Sequence, residues 1–379
     1  MAAGFDISRY FRTQPIDSTP MVCSRCHRLI VLCSCLSSEE AIRQSAFYSD
    51  DLFDVDFLDI ENAEAQPGSD LDVAAPLCDK SHQHHEFIDV DDLTIEHLPA
   101  EIRHCTTYVW LRNCVPLVVR LIRNITATGR ACLHSEDYRD TRICDDVHCP
   151  YVASLGQGHK LYGGIGIITN KHVVMDDDQA AMTKIEFFYN NDASRTTGLV
   201  VKELGAKLYT TNTKMDYTLF TCYVHSRELV QLVATFDRRR NYSWLAIPRH
   251  IRKNAKNFAI VISHPHGTSK KISIGNVIER RTQAMSRQEV EDSQIVRSIY
   301  DLCESQGGSG RLRFAAYWRQ LKDISLPHSV TWYTAPTCKG SSGAPVYMGN
   351  TVEEYGEEIN QAHTHRGVDN TRGLNNCFT

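Results

Sequence analysis

The chain has 379 residues, 42% of them hydrophobic and 23% charged, with a formal net charge of −5. That length leaves room for a core-forming domain of about 200–250 residues and a further segment. The mild acidity argues against general nucleic-acid binding, which needs a strongly basic face. No apolar run is long enough to span a bilayer, and Arg120 interrupts one of the longest.

The first residues, 1–13, contain no apolar stretch of signal-peptide length. The chain is therefore expected to be cytoplasmic or nuclear, not secreted and not in a membrane. Its 14 cysteines then read as reduced thiols or metal ligands rather than disulfides. Cys23 and Cys26 have the two-residue gap that lets two thiolates grip one zinc, and Cys33 and Cys35 complete a tetrahedral set. His27 is an alternative ligand, and a cluster of free thiols fits the same residues. Residues 48–97 are acidic with a single lysine, Lys80. Acids alternate there with bulky apolar residues from Tyr48 to Leu58, a composition that predicts a disordered segment able to fold onto a protein partner. The patch His82, His84, His85 offers opportunistic metal ligands. Residues 1–95 are thus read as a Cys-rich, then acidic, largely disordered region.

Ordered structure is expected to resume near Leu93, with a helix start over Leu98–Ile102. A strand rich in β-branched residues should span Val115–Ile122. Cys144, His148 and Cys149 have metal-ligand character but make an incomplete site. Glycines and an apolar run from Gly163 to Ile168 read as a buried strand leading into a turn that carries His172. Asp216 stands at the head of a second apolar strand, where a carboxylate needs hydrogen bonds to be tolerated. Asp176, Asp177 and Asp178 compete with it but lie in a polar run expected to be a solvated loop. The basic runs Arg238–Arg240 and 249–256 read as a loop or strand edge. A third strand, Ile260–Ser263, leads into the turn His264-Pro265-His266-Gly267 and a short strand at Ile272–Gly275. Residues 286–304 and 311–322 have near-helical apolar spacing and form an insertion of about 284–328. It is read as a lid, an exosite, an oligomer contact or a tolerated surface insertion.

Cys338-Lys339-Gly340-Ser341-Ser342-Gly343-Ala344-Pro345 places a hydroxyl on a tight glycine turn, where successive amides can face one small space. Ser341 is adjacent to Ser342, but the Gly-x-Ser-Gly-x-Pro register falls on Ser342. A serine needs a base to take its proton, and that base needs a carboxylate to orient it. His172, Asp216 and Ser342 occur in that order along the chain.

These islands resemble the chymotrypsin-like serine peptidases, in particular a divergent intracellular type of trypsin-like peptidase. The resemblance covers roughly residue 100 to the end, and the peptidase domain is set at 96–379. It implies an all-β fold of two antiparallel six-stranded-type β-barrels, with the active site between them. It implies Ser342 as nucleophile, His172 as general base and acid, Asp216 as its orienting carboxylate, and the amides of Gly340 and Ser342 as oxyanion hole. It also implies that residues 359–367 line the primary specificity pocket. There His363, with His365 as runner-up, would favour Glu or Gln at the cleavage site, and Arg366 is near enough to contribute. The close of the chain after Asn376 predicts a last barrel strand that is short or absent. No cofactor is expected for catalysis; a structural zinc is expected at the N-terminal cysteines. The expected partner is a protein or peptide substrate. The rival readings are a non-catalytic binding protein on the same fold and a regulatory protein that cleaves only its own N-terminal half.

Overall fold

In the computed structural model the residues described are 58–60, 63–64, 78–133, 143–144, 151–152, 156–212, 216–284, 327–349, 363–369 and 373–378. Cys23, Cys26, Cys33 and Cys35 and both segments of the expected insertion lie outside them. Three short strands lead in: β1 (Leu58–Ile60), β2 (Ala63–Glu64) and β3 (Ile88–Asp89). After helix α1 (Cys105–Cys114) come β4 (Val118–Ile122), β5 (Ile125–Leu133), β6 (Gly164–Thr169) and β7 (Lys184–Phe187). Then follow β8 (Val201–Leu204), β9 (Lys207–Asn212) and β10 (Tyr217–Tyr223). Helices α2 (Arg227–Ala246) and α3 (Arg249–Ala255) connect to β11 (Phe258–Ser263) and β12 (Lys271–Ala284). The remaining strands are β13 (Pro327–Tyr333), β14 (Pro345–Tyr347), β15 (His363–Asp369) and β16 (Leu374–Phe378).

The strands form two antiparallel sheets. The first runs β8-β7-β4-β5-β6-β10-β9, with β2 added on β5. The second runs β15-β14-β11-β12-β13-β16, and β16 pairs back onto β15, so six strands close into a barrel. The last strand is short, as expected, yet it pairs on both sides and completes the barrel. The first sheet departs from the closed first barrel expected of it. Among the described residues it is curled but open, and α2 packs into its concave face through Leu229, Val230, Leu232, Val233 and Phe236. An apolar helix stripe there supplies burial that a closed sheet would otherwise supply.

The Arg238–Arg240 run is therefore not a loop or a strand edge. It lies just past the midpoint of α2, where Arg240 is buried and its guanidinium meets Asp237 at 2.9 Å. Residues 249–255 are likewise helical. The apolar run of β11 is continuous because both of its faces are covered. Ala259 and Val261 face the barrel core with Val346 and Tyr333, while Ile260 and Ile262 pack with Trp110 of α1 and Trp244 of α2.

Order also begins earlier than Leu93. A 3-10 helix covers Ser81–Glu86, β3 pairs with β12, and β1 and β2 join opposite sheets through β15 and β5. The expected strand at Val115–Ile122 starts at Val118, because Pro116 sits in a 3-10 turn over Val115–Leu117. The insertion leaves and re-enters at the paired residues Ala284 and Pro327, the tip of the β12–β13 hairpin. Among the described residues no helix is long and apolar enough to cross a membrane.

The two sheets are joined by buried polar groups. Arg120 on β4 is paired with Glu186 on β7 and donates to the Gly267 carbonyl at 2.5 Å. Gly267 has φ +69, and a Cβ there would stand 2.5 Å from the Thr126 methyl. Glycine is thus required where the second sheet's turn approaches the first sheet.

Candidate active site

The antiparallel pairing of β6 with β10 sets Thr169 opposite Thr218, so the turn after β6 lies against the residue preceding β10. In that turn the Asn170 carbonyl accepts from the amides of both Val173 and Val174, and those valines are buried anchors. His172 sits on the turn. The Asn170 side-chain amide donates to the Asp216 carbonyl at 2.8 Å and fixes Asp216 in a left-handed conformation of φ +49. Asp216 then grips His172 twice. Its Oδ1 accepts the His172 amide at 3.0 Å, and its Oδ2 lies 2.5 Å from His172 Nδ1. A carboxylate only accepts, so Nδ1 carries the ring proton and Nε2 is left as the basic nitrogen.

The competing aspartates are used otherwise. Asp176 caps the short helix Asp177–Met182 through the Gln179 amide, and Asp177 accepts from the Leu208 amide at 2.6 Å. The expected solvated loop is therefore a capped helical turn, which suits three acids at a helix N-terminus.

Ser342 lies on the facing wall. Its turn is held by the Ser341 amide on the Cys338 carbonyl, the Ala344 amide on the Ser341 carbonyl, and the Gly343 amide on the His365 carbonyl. Among the hydrogen bonds of the described residues, these amides are engaged and those of Gly340 and Ser342 are not. Gly340 (φ +94) and Gly343 (φ +82) have no room for a side chain. A Cβ on Gly340 would lie 2.6 Å from the His264 carbonyl, and one on Gly343 would lie 2.0 Å from Thr169 Oγ1. The serine turn is thus wedged against the end of β6, three residues before His172. Thr128 of β5 clamps it: its amide donates to the Ser342 carbonyl at 2.9 Å, and its hydroxyl donates to the Gly340 carbonyl at 2.8 Å while accepting the His264 amide.

The neighbouring hydroxyl, Ser341 Oγ, is engaged with Ser263 Oγ and the Cys338 amide. Ser342 Oγ and His172 Nε2 are both buried with no hydrogen-bond partner among the described residues. The structure thus brings His172 and Asp216 into direct contact and leaves the bond between His172 and Ser342 unformed.

The strand expected to line a specificity pocket is β15, paired with β14 directly behind the serine turn. The side chain of His363 lies outside the described residues. His365 is fully buried, its amide donates to the Ala344 carbonyl, and its Nδ1 is 2.7 Å from the Tyr333 hydroxyl. Arg366, also buried, has its pKa lowered by desolvation, an effect that the nearby Asp216 carboxylate opposes. The role of Tyr333 has no signal in the local sequence, since only barrel closure brings β13 beside β15.

No family model matches the chain, and no curated protein matches it. Among solved structures it is similar to a crystal structure of the Rv3671c protease in its inactive form, with a TM-score of 0.34 and 11% identity over 74% of this chain and 90% of that one. It is also similar to the active form of that protease from M. tuberculosis, with a TM-score of 0.32 and 10% identity over 74% of this chain and 81% of that one.

Two side-chain clusters among the described residues have the composition of metal sites. Cys144, whose sequence neighbours His148 and Cys149 lie outside the described residues, meets His159 and His225. His225 Nδ1 contacts Glu203 at 2.9 Å and His159 Nδ1 the Gly156 carbonyl at 2.8 Å. The other cluster joins Cys78, His84, His266 and Cys338. Of the patch His82, His84, His85, His84 is the member found in such a cluster among the described residues.

Proposed function

We propose that the chain is a serine endopeptidase that hydrolyses peptide bonds through an acyl-enzyme, with Ser342 as nucleophile, His172 as base and Asp216 as orienting carboxylate. The observation that carries this reading is the double grip of Asp216 on His172, which leaves Nε2 as the basic nitrogen. Ser342 Oγ attacks the scissile carbonyl as Nε2 takes its proton. The developing oxyanion is met by the Gly340 and Ser342 amides. His172 then returns the proton to the leaving amine, and water repeats the sequence to release the acid. A rotation of the Ser342 or His172 side chain forms the missing hydrogen bond, as is common between free and substrate-bound enzymes.

The substrate preference follows from His365. Tyr333 holds its Nδ1, so a substrate side chain would be met by Nε2. A neutral imidazole whose Nε2 bears a proton donates to the carbonyl or carboxylate oxygen of Gln or Glu, and either residue is proposed on the N-terminal side of the cleaved bond. His365 is assigned this role because its ring is held by Tyr333 of β13. The acidic lead-in is proposed to hold a protein partner.

The test is labelling of the full chain by a fluorophosphonate probe, beside Ser342→Ala and His172→Ala. Labelling lost in both variants supports the reading. A folded wild-type chain that resists the probe and cleaves no peptide in a library of varied cleavage-site residues sinks it, and a binding role on the same fold takes its place.

A further inference from the structure

We propose that Cys78, His84, His266 and Cys338 form a structural zinc site that fastens the lead-in segment to the serine turn. Each of the four contributes a ligand atom, and all four atoms lie within 4.8 Å of one another. Cys78 Sγ and Cys338 Sγ are 3.7 Å apart, and Cys338 Sγ is 3.4 Å from His84 Nε2. Zinc binds thiolate sulfur at about 2.3 Å and imidazole nitrogen at about 2.0–2.1 Å, so tetrahedral edges are about 3.8 Å for S···S and about 3.6 Å for S···N. The two separations, 3.7 Å and 3.4 Å, lie close to those edges. They are far from a disulfide, whose sulfurs stand about 2.05 Å apart. The ligand set contains no carboxylate, and two thiolates with two imidazoles select zinc over hard oxygen-seeking cations.

The four ligands come from three separate parts of the chain. Cys78 and His84 flank and occupy the 3-10 helix Ser81–Glu86, which Lys80 also tethers by donating to the Thr337 carbonyl at 3.2 Å. His266 projects from the turn between β11 and β12, where its φ of +53 is rare for a residue with a side chain. Its amide donates to the Lys339 carbonyl, beside Cys338. An ion held here ties the lead-in, the β11–β12 turn and the first residue of the serine turn to a single point. Four protein ligands close the coordination sphere, so the ion activates no water and is structural. Gly340, two residues beyond Cys338, is the residue whose amide such an anchor would steady. That effect on turnover rests on the peptidase reading; the metal site itself does not.

The experiment uses the full chain with Cys23, Cys26, Cys33 and Cys35 changed to Ala, so that the N-terminal cysteines add no metal. Zinc content is measured by mass spectrometry of the element, and the cobalt-exchanged protein is examined for tetrahedral d–d bands and thiolate-to-cobalt charge transfer. The Cys78→Ala,His84→Ala double variant is compared with this parent, with circular dichroism as the folding control. Expected are one molar equivalent of zinc less in the folded double variant and a matching loss of charge-transfer intensity. Equal zinc content in the folded parent and variant overturns the site, as does a Cys78–Cys338 cross-linked peptide in the parent. If the double variant does not fold, the conservative Cys78→His decides: it must retain zinc while losing part of the thiolate-to-cobalt band, and an unchanged band overturns the site. A parent that holds the ion but resists the fluorophosphonate and cleaves no library peptide refutes the peptidase and leaves the site standing. A parent that labels without the ion does the reverse.

Discussion

Replacing Thr128 by Val removes one hydroxyl and keeps the shape of the side chain. That hydroxyl donates to the Gly340 carbonyl at 2.8 Å and accepts the His264 amide at 3.0 Å. Thr128 is fully buried, so neither partner gains water when it is lost. A buried donor or acceptor left unsatisfied costs about 1–3 kcal/mol, and the two together set the expected destabilisation at about 2–6 kcal/mol. The measurement is the urea midpoint of Thr128→Val against wild type, with Thr128→Ser as the control that keeps the hydroxyl. Probe labelling should fall as well, because the clamp fixes the peptide between the two proposed oxyanion amides. A loss below about 0.5 kcal/mol, within the range of ordinary surface substitutions, with unchanged labelling would refute the argument that Thr128 ties the sheets at the serine turn.

Gly343→Ala should be more severe, since its Cβ would lie 2.0 Å from Thr169 Oγ1 and 2.2 Å from the Thr128 carbonyl at φ +82; soluble yield and probe labelling should both collapse, and a well-folded, labelled variant would contradict the close approach. Lys270 is fully buried against the Val115 carbonyl, and desolvation brings its pKa down to about 7. Between that value and the unfolded pKa of about 10.4, the unfolded chain binds the proton and the native chain does not, so stability should rise with pH across this window and be lowest at and below 7. Lys270→Met should flatten that rise and stabilise the protein at pH 7 by about 1–4 kcal/mol; urea midpoints at several pH values check both. Burial pushes the thiols of Cys132 and Cys114 up to about 11 and about 12, whereas Cys105 is exposed. Alkylation followed by peptide mapping should therefore find Cys105 modified in the native protein and Cys114 modified only on unfolding.

The residues most legible in sequence were those whose chemistry sits in a contiguous string. His172 on its valine-flanked turn, Asp216 at a strand head and Ser342 between two glycines each declare a local geometry, and antiparallel pairing of β6 with β10 does the rest for the first two. Within the barrel β11 was legible for the same reason, as an apolar run ending in the turn His264–Gly267, whereas the polar strands β15 and β16 carry no such signal. Helix α2 was not. Its stripe of Leu229, Val230, Val233 and Phe236 has helical spacing, but the arginines that follow read as surface, and the burial of Arg240 beside Asp237 depends on packing. Nor could strand alternation choose between His363 and His365. A register shift between His365 and Gly367 and a tyrosine from β13 set the environment of His365. The cluster at Cys78, His84, His266 and Cys338 has no local pattern at all, since its members meet only once the barrel is closed.

The pairings also order events in time. Strands β4 to β10 are neighbours in sequence and can assemble as soon as they leave the ribosome. The barrel behind the serine turn needs β16, and β1, made near the beginning, must wait for β15 before it finds its place. Long sequence separations of this kind slow folding. They also mean that a chain arrested partway through synthesis carries His172 and Asp216 in place but lacks the wall that holds Ser342. The wall that holds Ser342 is therefore completed after the strands that hold His172 and Asp216 have been made.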